Sequence, residues 1–340
     1  MELNKIYNID CVDGLNQLPP KCANLVIADP PYYRVKGDFD FRWKSFDDYM
    51  SDCERWATAC ERVLADNGTL LWYGDHRRIA HLQVMLEKLP LNFLNNGVIY
   101  KTNDMKVFVN PEKQRSFFPN TERFLLFESA RCDKTDNKAL LKKNEYRFAQ
   151  GMCFQRCMKP LVDYFNEALQ ASGMSVKEVN EAIGTKSAAS HFFTRGSQWN
   201  LPTAENYKKL QEAINPKCGK LNRPYEELKK QYEELKKQYE EIRRPFDTHG
   251  ERLNDVLKIA TNTTHTSKIE HPTVKDWRMT SKFIEIMTRP DDLVVVPFAG
   301  SGTECACAYA LHRNFVGFEI DEKYQGLATE RVENTLKQVI

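Results

Sequence analysis

Two short apolar runs near opposite ends of the chain limit its fold more than any other feature. Leu25-Val26-Ile27-Ala28 lies between Asn24 and Asp29, and Leu293-Val294-Val295-Val296 lies between Asp292 and Pro297. Neither run alternates with polar residues, so each reads as a strand buried on both faces, as in a parallel sheet covered by helices. The flanking sequence agrees. From Phe46 to Leu64 apolar residues recur at helical spacing (Tyr49, Cys53, Trp56, Cys60, Val63, Leu64), and Asp66-Asn67-Gly68 reads as the turn that follows. Thr69 to Tyr73 is the next predicted strand, Ile79 to Lys88 a helix, and Asn96 to Tyr100 and Thr121 to Glu128 are further strands. After the second apolar run, Glu304 to Leu311 reads as a helix, Phe315 to Phe318 as a strand and Glu322 to Ile340 as a terminal helix. Strands alternating with helices at this spacing predict a doubly wound α/β sheet.

The middle of the chain breaks the pattern. Residues 161–215 lose the strand signal and read as short helices. Residues 225–244 carry Tyr-Glu-Glu-Leu-Lys-Lys-Gln from Tyr225, again from Tyr232, and a near-copy from Tyr239. Tyr225, Tyr232 and Tyr239 with Leu228, Leu235 and Ile242 occupy the a and d positions of a heptad. Glu226 with Lys230 and Glu233 with Lys237 add favourable pairs one turn apart, and Pro224 and Pro245 bracket the helix. Such a helix packs on its own chain or pairs with another subunit, the former being the better reading. The 340 residues suit about two units. The expected division is one α/β domain in two pieces, 1–145 and 249–340, with a mostly helical insertion at 146–248.

Bulk charge does not identify a partner: 49 Lys and Arg stand against 47 Asp and Glu, a net +2. Any polyanion-binding surface must then be local. Residues 101–160 supply one, with 13 basic against 7 acidic residues. The ten cysteines show no two-residue spacing of a zinc or redox motif, the opening Met1-Glu2-Leu3-Asn4-Lys5 is no signal peptide, and no apolar run approaches a bilayer span of ~20 residues. A reduced, cytoplasmic protein without membrane association or a metal is the expectation, its cysteines acting as small apolar side chains.

Two motifs carry chemistry. At the end of the first apolar run stands Asp29-Pro30-Pro31-Tyr32: a carboxylate, two prolines that stiffen the turn and lack N–H donors, and an aromatic ring able to stack. An Asp-Pro turn alone is ordinary; the full string after a buried strand is rarer. At the end of the second run stands Pro297-Phe298-Ala299-Gly300-Ser301-Gly302-Thr303, which opens a helix. Small residues there allow close approach of a ligand. Glu319 ends the next strand, where an acidic residue commonly meets ribose hydroxyls. Together these describe a nucleoside-cofactor pocket, and the absence of a lysine after the glycines argues against a phosphate-gripping loop.

These residues resemble the S-adenosylmethionine-dependent DNA amino-methyltransferases. With Asp29-Pro30-Pro31-Tyr32 early, Phe298-Ala299-Gly300-Ser301-Gly302-Thr303 late and a large insertion between, the order is the circularly permuted one of the beta class. His271-Pro272-Thr273-Val274-Lys275 is similar to the motif that precedes the glycine loop, and Ile6-Tyr7-Asn8-Ile9-Asp10-Cys11 to the opening strand. The resemblance covers about 1–130 and 265–340. It implies a Rossmann-like methyltransferase sheet, S-adenosyl-L-methionine as cofactor, no metal, and methylation of double-stranded DNA on a flipped base. By the same resemblance, Asp29 and the Pro30 carbonyl bond the exocyclic amine beside Pro31, and Tyr32 stacks on the base. Phe298, Gly300 and Gly302 line the methionine side of the cofactor with Pro297, Ala299, Ser301 and Thr303. Glu319 with Ile320 meets the ribose, Asp10 with Cys11 the adenine, and His271, Thr273 and Lys275 complete the cofactor site. Two departures stand out: Val296 replaces the family's usual Asp before Pro-Phe, and Asp276 follows Lys275 where Pro is usual.

The insertion is the expected target-recognition region. Ser175 caps a helix with Glu178 three residues later, Gly184 ends it, and Lys186 to Phe193 forms a second short helix. This resembles a helix-turn-helix that offers Lys186, Ser190, His191 and Arg195 to a groove; a hairpin that only packs is an equal reading. Lys101, Lys106, Lys113 and Arg115, interleaved with Phe108, Phe117 and Phe118, suit a backbone-contacting loop. Glu61-Arg62 and Asp47-Asp48 fall on a helix face expected to be exposed and without a role. Asp at the head of the tetrapeptide favours adenine N6 by resemblance. Cytosine N4 and a DNA-binding regulator built on a decayed methyltransferase are the alternatives. The resemblance leaves room for a homodimer and for a cognate restriction enzyme in a restriction-modification pair.

Overall fold

The computed structural model describes residues 1–35, 38–102, 112, 115, 120–130, 145–196, 198–259 and 273–339. The chain forms two compact units, Met1–Arg131 with Arg244–Ile340, and Cys132–Arg243. The return to the first unit falls at Arg244, ahead of the expected 249, because Arg244 is a core residue of that unit. Its side chain is 3% exposed, its Nε lies 2.9 Å from Glu128 Oε2, and an Nη donates to Thr69 Oγ1.

The first unit is built on strands β1 (Lys5–Asn8), β2 (Ala23–Ala28), β3 (Leu64–Gly74), β4 (Leu91–Lys101), β5 (Thr121–Ser129), β6 (Val256–Ile259), β7 (Leu293–Val296) and β8 (Asn314–Glu319). They form one sheet in the order β1-β8-β7-β2-β3-β5-β4-β6. All neighbours run parallel except β5, which is antiparallel to both β3 and β4. The two apolar runs are adjacent: Leu25 pairs with Val294 and Val26 with Val295.

Side chains alternate across the sheet as strand geometry requires. Val26, Ala28, Leu70, Trp72, Val295 and Phe318 face α1 (Cys11–Gln17), α2 (Phe46–Val63) and α3 (Ile79–Leu86) in one core. On the other face Leu25, Ile27, Leu71, Tyr73, Val294 and Val296 share a core with Met279 and Phe283, Cys305 and Ala306, and Ala328 and Val332. Those six residues come from the helices Trp277–Met287, Thr303–Ala310 and Glu322–Val339.

The expected Asp66-Asn67-Gly68 turn is instead part of β3. Ala23 pairs with Leu64 but Leu25 already pairs with Thr69, so residues between Leu64 and Thr69 bulge out while the strand continues. Gly68 is required there, since a Cβ would lie 2.8 Å from the Ala23 carbonyl oxygen. Glu61 and Arg62 also differ from expectation. Glu61 is buried, and Arg62 donates to the carbonyls of Leu15 and Leu18, where α1 ends and its last carbonyls lack helical partners. Asp48 does have a role, completing a capping box in which Ser45 N donates to its Oδ2 at 3.0 Å.

The second unit contains α4 (Glu145–Ser172), α5 (Val176–Ala182), α6 (Ala188–Phe193), α7 (Ala204–Cys218) and α8 (Tyr225–Ile242). The remaining helices of the first unit are accordingly α9 (Trp277–Met287), α10 (Thr303–Ala310) and α11 (Glu322–Val339). Phe165, Trp199, Tyr207 and Leu228 centre a core of the second unit's own, and Tyr225, Tyr232, Leu235 and Tyr239 pack against it. The heptad seam of α8, apart from the exposed Ile242 at its end, is thus used within its unit. Ser175 and Glu178 form the expected capping box on α5. Among the described residues no helix is long and apolar enough to cross a membrane.

The Arg244–Glu128 pair gives a direct test. Arg244→Met leaves a buried carboxylate without its cation and costs about 3–5 kcal/mol, whereas Arg244→Met with Glu128→Leu costs less than Arg244→Met alone. Urea unfolding of the three proteins reads the difference.

Candidate active site

The C-terminal ends of adjacent parallel strands are where an open α/β sheet presents its loops to a ligand. Here the turn after β2 and the loop after β7 leave the sheet side by side and border one cavity of about 840 Å³. Asp29, Pro30, Pro31 and Tyr32 form part of its wall, and Pro297, Phe298, Ala299, Gly300 and Ser301 form another. Asp10, Cys11, Glu319 and Ile320 line it at the ends of β1 and β8, and Thr273 and Lys275 line it ahead of α9. Every one of these residues belongs to the first unit. Gly302 and Thr303 are not in the wall. Gly302 has φ 73° and no room for a Cβ, which would meet Ala328 Cα at 2.8 Å. Thr303 is fully buried and accepts a 2.6 Å bond from Arg331. Both shape the loop from behind.

One buried charge cluster dominates the end of the cavity at β2. The Tyr32 hydroxyl donates to Asp29 Oδ1 at 2.7 Å, and Lys275 Nζ reaches the same oxygen at 3.0 Å and Tyr32 Oη at 3.3 Å. Lys275 is only 10% exposed, lies 3.8 Å from Glu122 Oε2, and stands 4.2 Å over the ring of Tyr73. Lys101 holds the other oxygen of Glu122 at 2.5 Å. Burial would raise the Glu122 carboxyl, but Lys275 and Lys101 outweigh it and hold the group down at about 2. Burial would likewise discharge Lys275; Asp29 and Glu122 instead keep it an ammonium. Burial, with the charges of Asp29 and Glu122, raises the Tyr32 phenol well above its usual range, so Tyr32 acts as a neutral donor. The turn itself is fixed by buried Asp40, whose Oδ1 accepts from Tyr32 N at 2.6 Å.

At the glycine loop the backbone orients a second carboxylate. Glu319 Oε2 accepts from Gly300 N at 2.8 Å and its Oε1 from Asp321 N at 3.0 Å. Phe298 is held edge-on by Trp56, ring centroids 5.1 Å apart. Asp10 caps α1, accepting from Val12 N at 2.9 Å. A further acid, Glu304, lies in the first turn of α10 and also faces the cavity; burial and the neighbouring Asp29 raise it to about 7.

The sequence reading missed Lys101, Tyr73, Glu122 and Glu304 as members of this site. Lys101 belongs to the cavity wall, since β4 ends with its side chain on Glu122. The available signal was Glu304 itself, an acid in the otherwise small and apolar run Cys305-Ala306-Cys307-Ala308. His271, Lys106 and Lys113 lie outside the described residues. Arg115 is exposed and donates to the Glu112 carbonyl. In the second unit Lys186, Ser190, His191 and Arg195 are all exposed around α6, with Arg195 3.6 Å from Asp163.

The model of the N6/N4 DNA methylase family matches residues 23–330. The Type II methyltransferase M.HinfI of Haemophilus influenzae is 23% identical over 345 residues, covering 97% of this chain and 68% of its own. Among solved structures, the M1.HpyAVI–SAM complex superposes with a TM-score of 0.53 at 17% identity, over 96% of this chain and 98% of its own. TTHA0409 from Thermus thermophilus, complexed with S-adenosyl-L-methionine, gives 0.50 at 14% identity, over 98% and 95%. These structures share the fold.

The depressed Glu122 carboxyl carries a pH signature. A carboxyl lower in the folded than in the unfolded chain stabilises the fold above its unfolded value, near 4.5, and that contribution vanishes as pH falls toward 2. Wild type is therefore more stable than Glu122→Gln at pH 6 and the two converge on acidification, as urea midpoints at stepped pH will show.

Proposed function

The chain belongs to the N6/N4 DNA methylase family, and from that premise we propose that it transfers a methyl group from S-adenosyl-L-methionine to the N6 amine of adenine in double-stranded DNA. The observation that carries the reading is the shared cavity, in which Asp29-Pro30-Pro31-Tyr32 and the Pro297–Ser301 loop are walls of one space. The choice of adenine rests on Asp29 as the first residue of the tetrapeptide.

The residues present fit the cofactor. Glu319, its oxygens already oriented by two backbone amides, suits ribose hydroxyls, with Asp10 and Ile320 beside it for the adenine. Gly300 and Ala299 let the backbone come close, and Phe298, pinned by Trp56, supplies an apolar flank. When bound, S-adenosyl-L-methionine supplies an electrophilic methyl group. The chain's own task is then to present a nucleophilic nitrogen in line, so positioning and fixed electrostatics do most of the work. Both contacts that hold Asp29 are made by Oδ1, and Oδ2 takes no part in either, leaving it to accept an amine hydrogen. The Pro30 carbonyl accepts the other. Accepting both hydrogens turns the nitrogen lone pair toward the donor. Tyr32, its hydroxyl tied to Asp29 and Lys275, offers a ring of fixed orientation for a base taken out of the stack.

Sequence recognition is assigned to the second unit, where Lys186, Ser190, His191 and Arg195 are exposed together on and around α6. The support is their exposure and their placement in the short helix pair α5–α6.

The decisive assay incubates the protein with labelled S-adenosyl-L-methionine and unmethylated duplex DNA, then digests the DNA to nucleosides. Label is expected in N6-methyladenosine, reduced by about 10²–10³-fold or more in Asp29→Ala. Label in N4-methylcytosine would keep the mechanism and replace the base. No label in DNA would overturn the reading. In a second measurement, Lys186→Ala with Arg195→Ala lowers the slope of log affinity against log salt by about 2, roughly 0.9 for each phosphate no longer neutralised. An unchanged slope would remove these residues from the DNA surface.

A further inference from the structure

Among the described residues, Glu304 is a buried acid of the cavity that neither the proposed reaction nor the turn at Asp29 uses. It is 5% exposed, and its Oε1 has no hydrogen-bond partner among those residues. Other carboxylates of the same wall hold donors. Asp29 has Tyr32 and Lys275, Asp40 has Tyr32 N, Glu122 has Lys101, and Glu319 has two backbone amides. The nearby cations are committed elsewhere. Lys275 lies on Asp29, and Arg331 donates to Ser301 Oγ at 3.3 Å and Thr303 Oγ1 at 2.6 Å. A buried carboxylate with an unmatched oxygen is costly, and a fold keeps one where a cation arrives from outside. Its place in the first turn of α10 offsets part of that cost, because the helix N-terminus favours negative charge. Asp29 and Glu304 line the same cavity, with Asp29 close enough to raise Glu304, and since Lys275 already lies on Asp29 it is Glu304 that lacks a cationic group. A base amine is neutral and cannot serve. Among the described residues no cluster of His, Cys, Asp and Glu is fit for a metal. What remains is an alkylammonium on the ligand.

We propose that Glu304 is the seat for the ammonium group at the amino-acid end of the cofactor, and so fixes the end of the ligand opposite to the one held by Glu319. This rests on S-adenosyl-L-methionine being the cofactor. Glu319 holds the Gly300 amide and Glu304 opens the helix that follows the glycine loop, and both line the cavity with Gly300, so a ligand laid along the loop meets one carboxylate for its hydroxyls and another for its ammonium.

The test is calorimetric and needs no turnover. S-adenosylhomocysteine carries the ammonium; 5′-methylthioadenosine has the nucleoside and sulfur without the amino-acid end. Glu304→Gln is expected to bind S-adenosylhomocysteine about 10–100-fold more weakly, the range for a hydrogen bond to a charged group, and 5′-methylthioadenosine as wild type does. Equal losses for both ligands, or no loss for either, would overturn the proposal. Wild type binding neither ligand would instead remove the cofactor reading on which it rests. Stability supplies a second readout. A residue kept for its ligand destabilises the empty protein, so Glu304→Met should melt at the same temperature or about 2–4 °C higher without ligand. Melting well below wild type, or failure to fold, would make Glu304 a structural residue and sink the assignment.

Discussion

The site depends on one short pairing. β2 and β7 meet over Leu25–Val294 and Val26–Val295, with Asn24 Oδ1 accepting from Leu293 N at 2.9 Å to fix the register. Because strands in a parallel pair end on the same side, this places the turn at Asp29 and the loop at Pro297 next to each other. Slipping β7 by one residue would turn Val294 and Val296 to the opposite face and carry the glycine loop away from Asp29. Full burial of Leu25, Val26, Val294 and Val295 makes such a slip costly, so core packing and the geometry of the cavity are set by the same contacts. Circular permutation of the motifs is harmless for this reason: the sheet reads strand order, and the chain can enter it at either half.

Charge balance inside the cavity explains why so many ionisable groups tolerate burial. Lys275 sits between Asp29 and Glu122, and Lys101 closes the far side of Glu122. Two ammonium groups against two carboxylates leave the cluster near neutral. Tyr32 joins as a donor rather than a phenolate, which preserves that balance. Glu304 is the charge left over. Burial and the neighbouring Asp29 raise it to about 7, and with no cation of its own among the described residues it is an acid of the cavity wall that the charge balance does not cover.

What the sequence disclosed, and what it hid, follows from the range of the interactions involved. The strands other than β6, the α5 capping box and the two loop motifs rest on local spacing, and they appear near where the residues place them. The bulge at Asp66-Asn67-Gly68 reads as a turn in sequence because turn chemistry is the same in both. Only the neighbouring strand, pairing through Ala23 and Leu25, decides that the chain continues instead of reversing. The role of Arg62 is hidden for a similar reason: its partners are carbonyls of Leu15 and Leu18, and no side-chain pattern announces a backbone acceptor. Lys101, Glu122 and Lys275 come from three separate segments and acquire meaning only when β4, β5 and the approach to α9 converge. Glu304 could be suspected from its setting among small residues, but its missing partner is a property of the packed interior.

The division of the chain separates two kinds of constraint. Among the described residues, every member of the cavity wall comes from the first unit, while the second has a core of its own around Phe165, Trp199 and Tyr207. The heptad face of α8 is used up in that core, and its polar faces, with Glu226, Lys230, Glu233 and Lys237, are free to vary without unpacking it. Substitutions around α6 can therefore change what the second unit contacts while Asp29, Lys275 and Glu319 keep their partners. Conversely, substitutions within the charge cluster do not act independently, since Lys275 and Lys101 share the carboxylates of Asp29 and Glu122. A charge cluster locked by mutual burial, joined in one chain to a helical unit with a separate core, lets the surface of one part change while the interior of the other stays fixed.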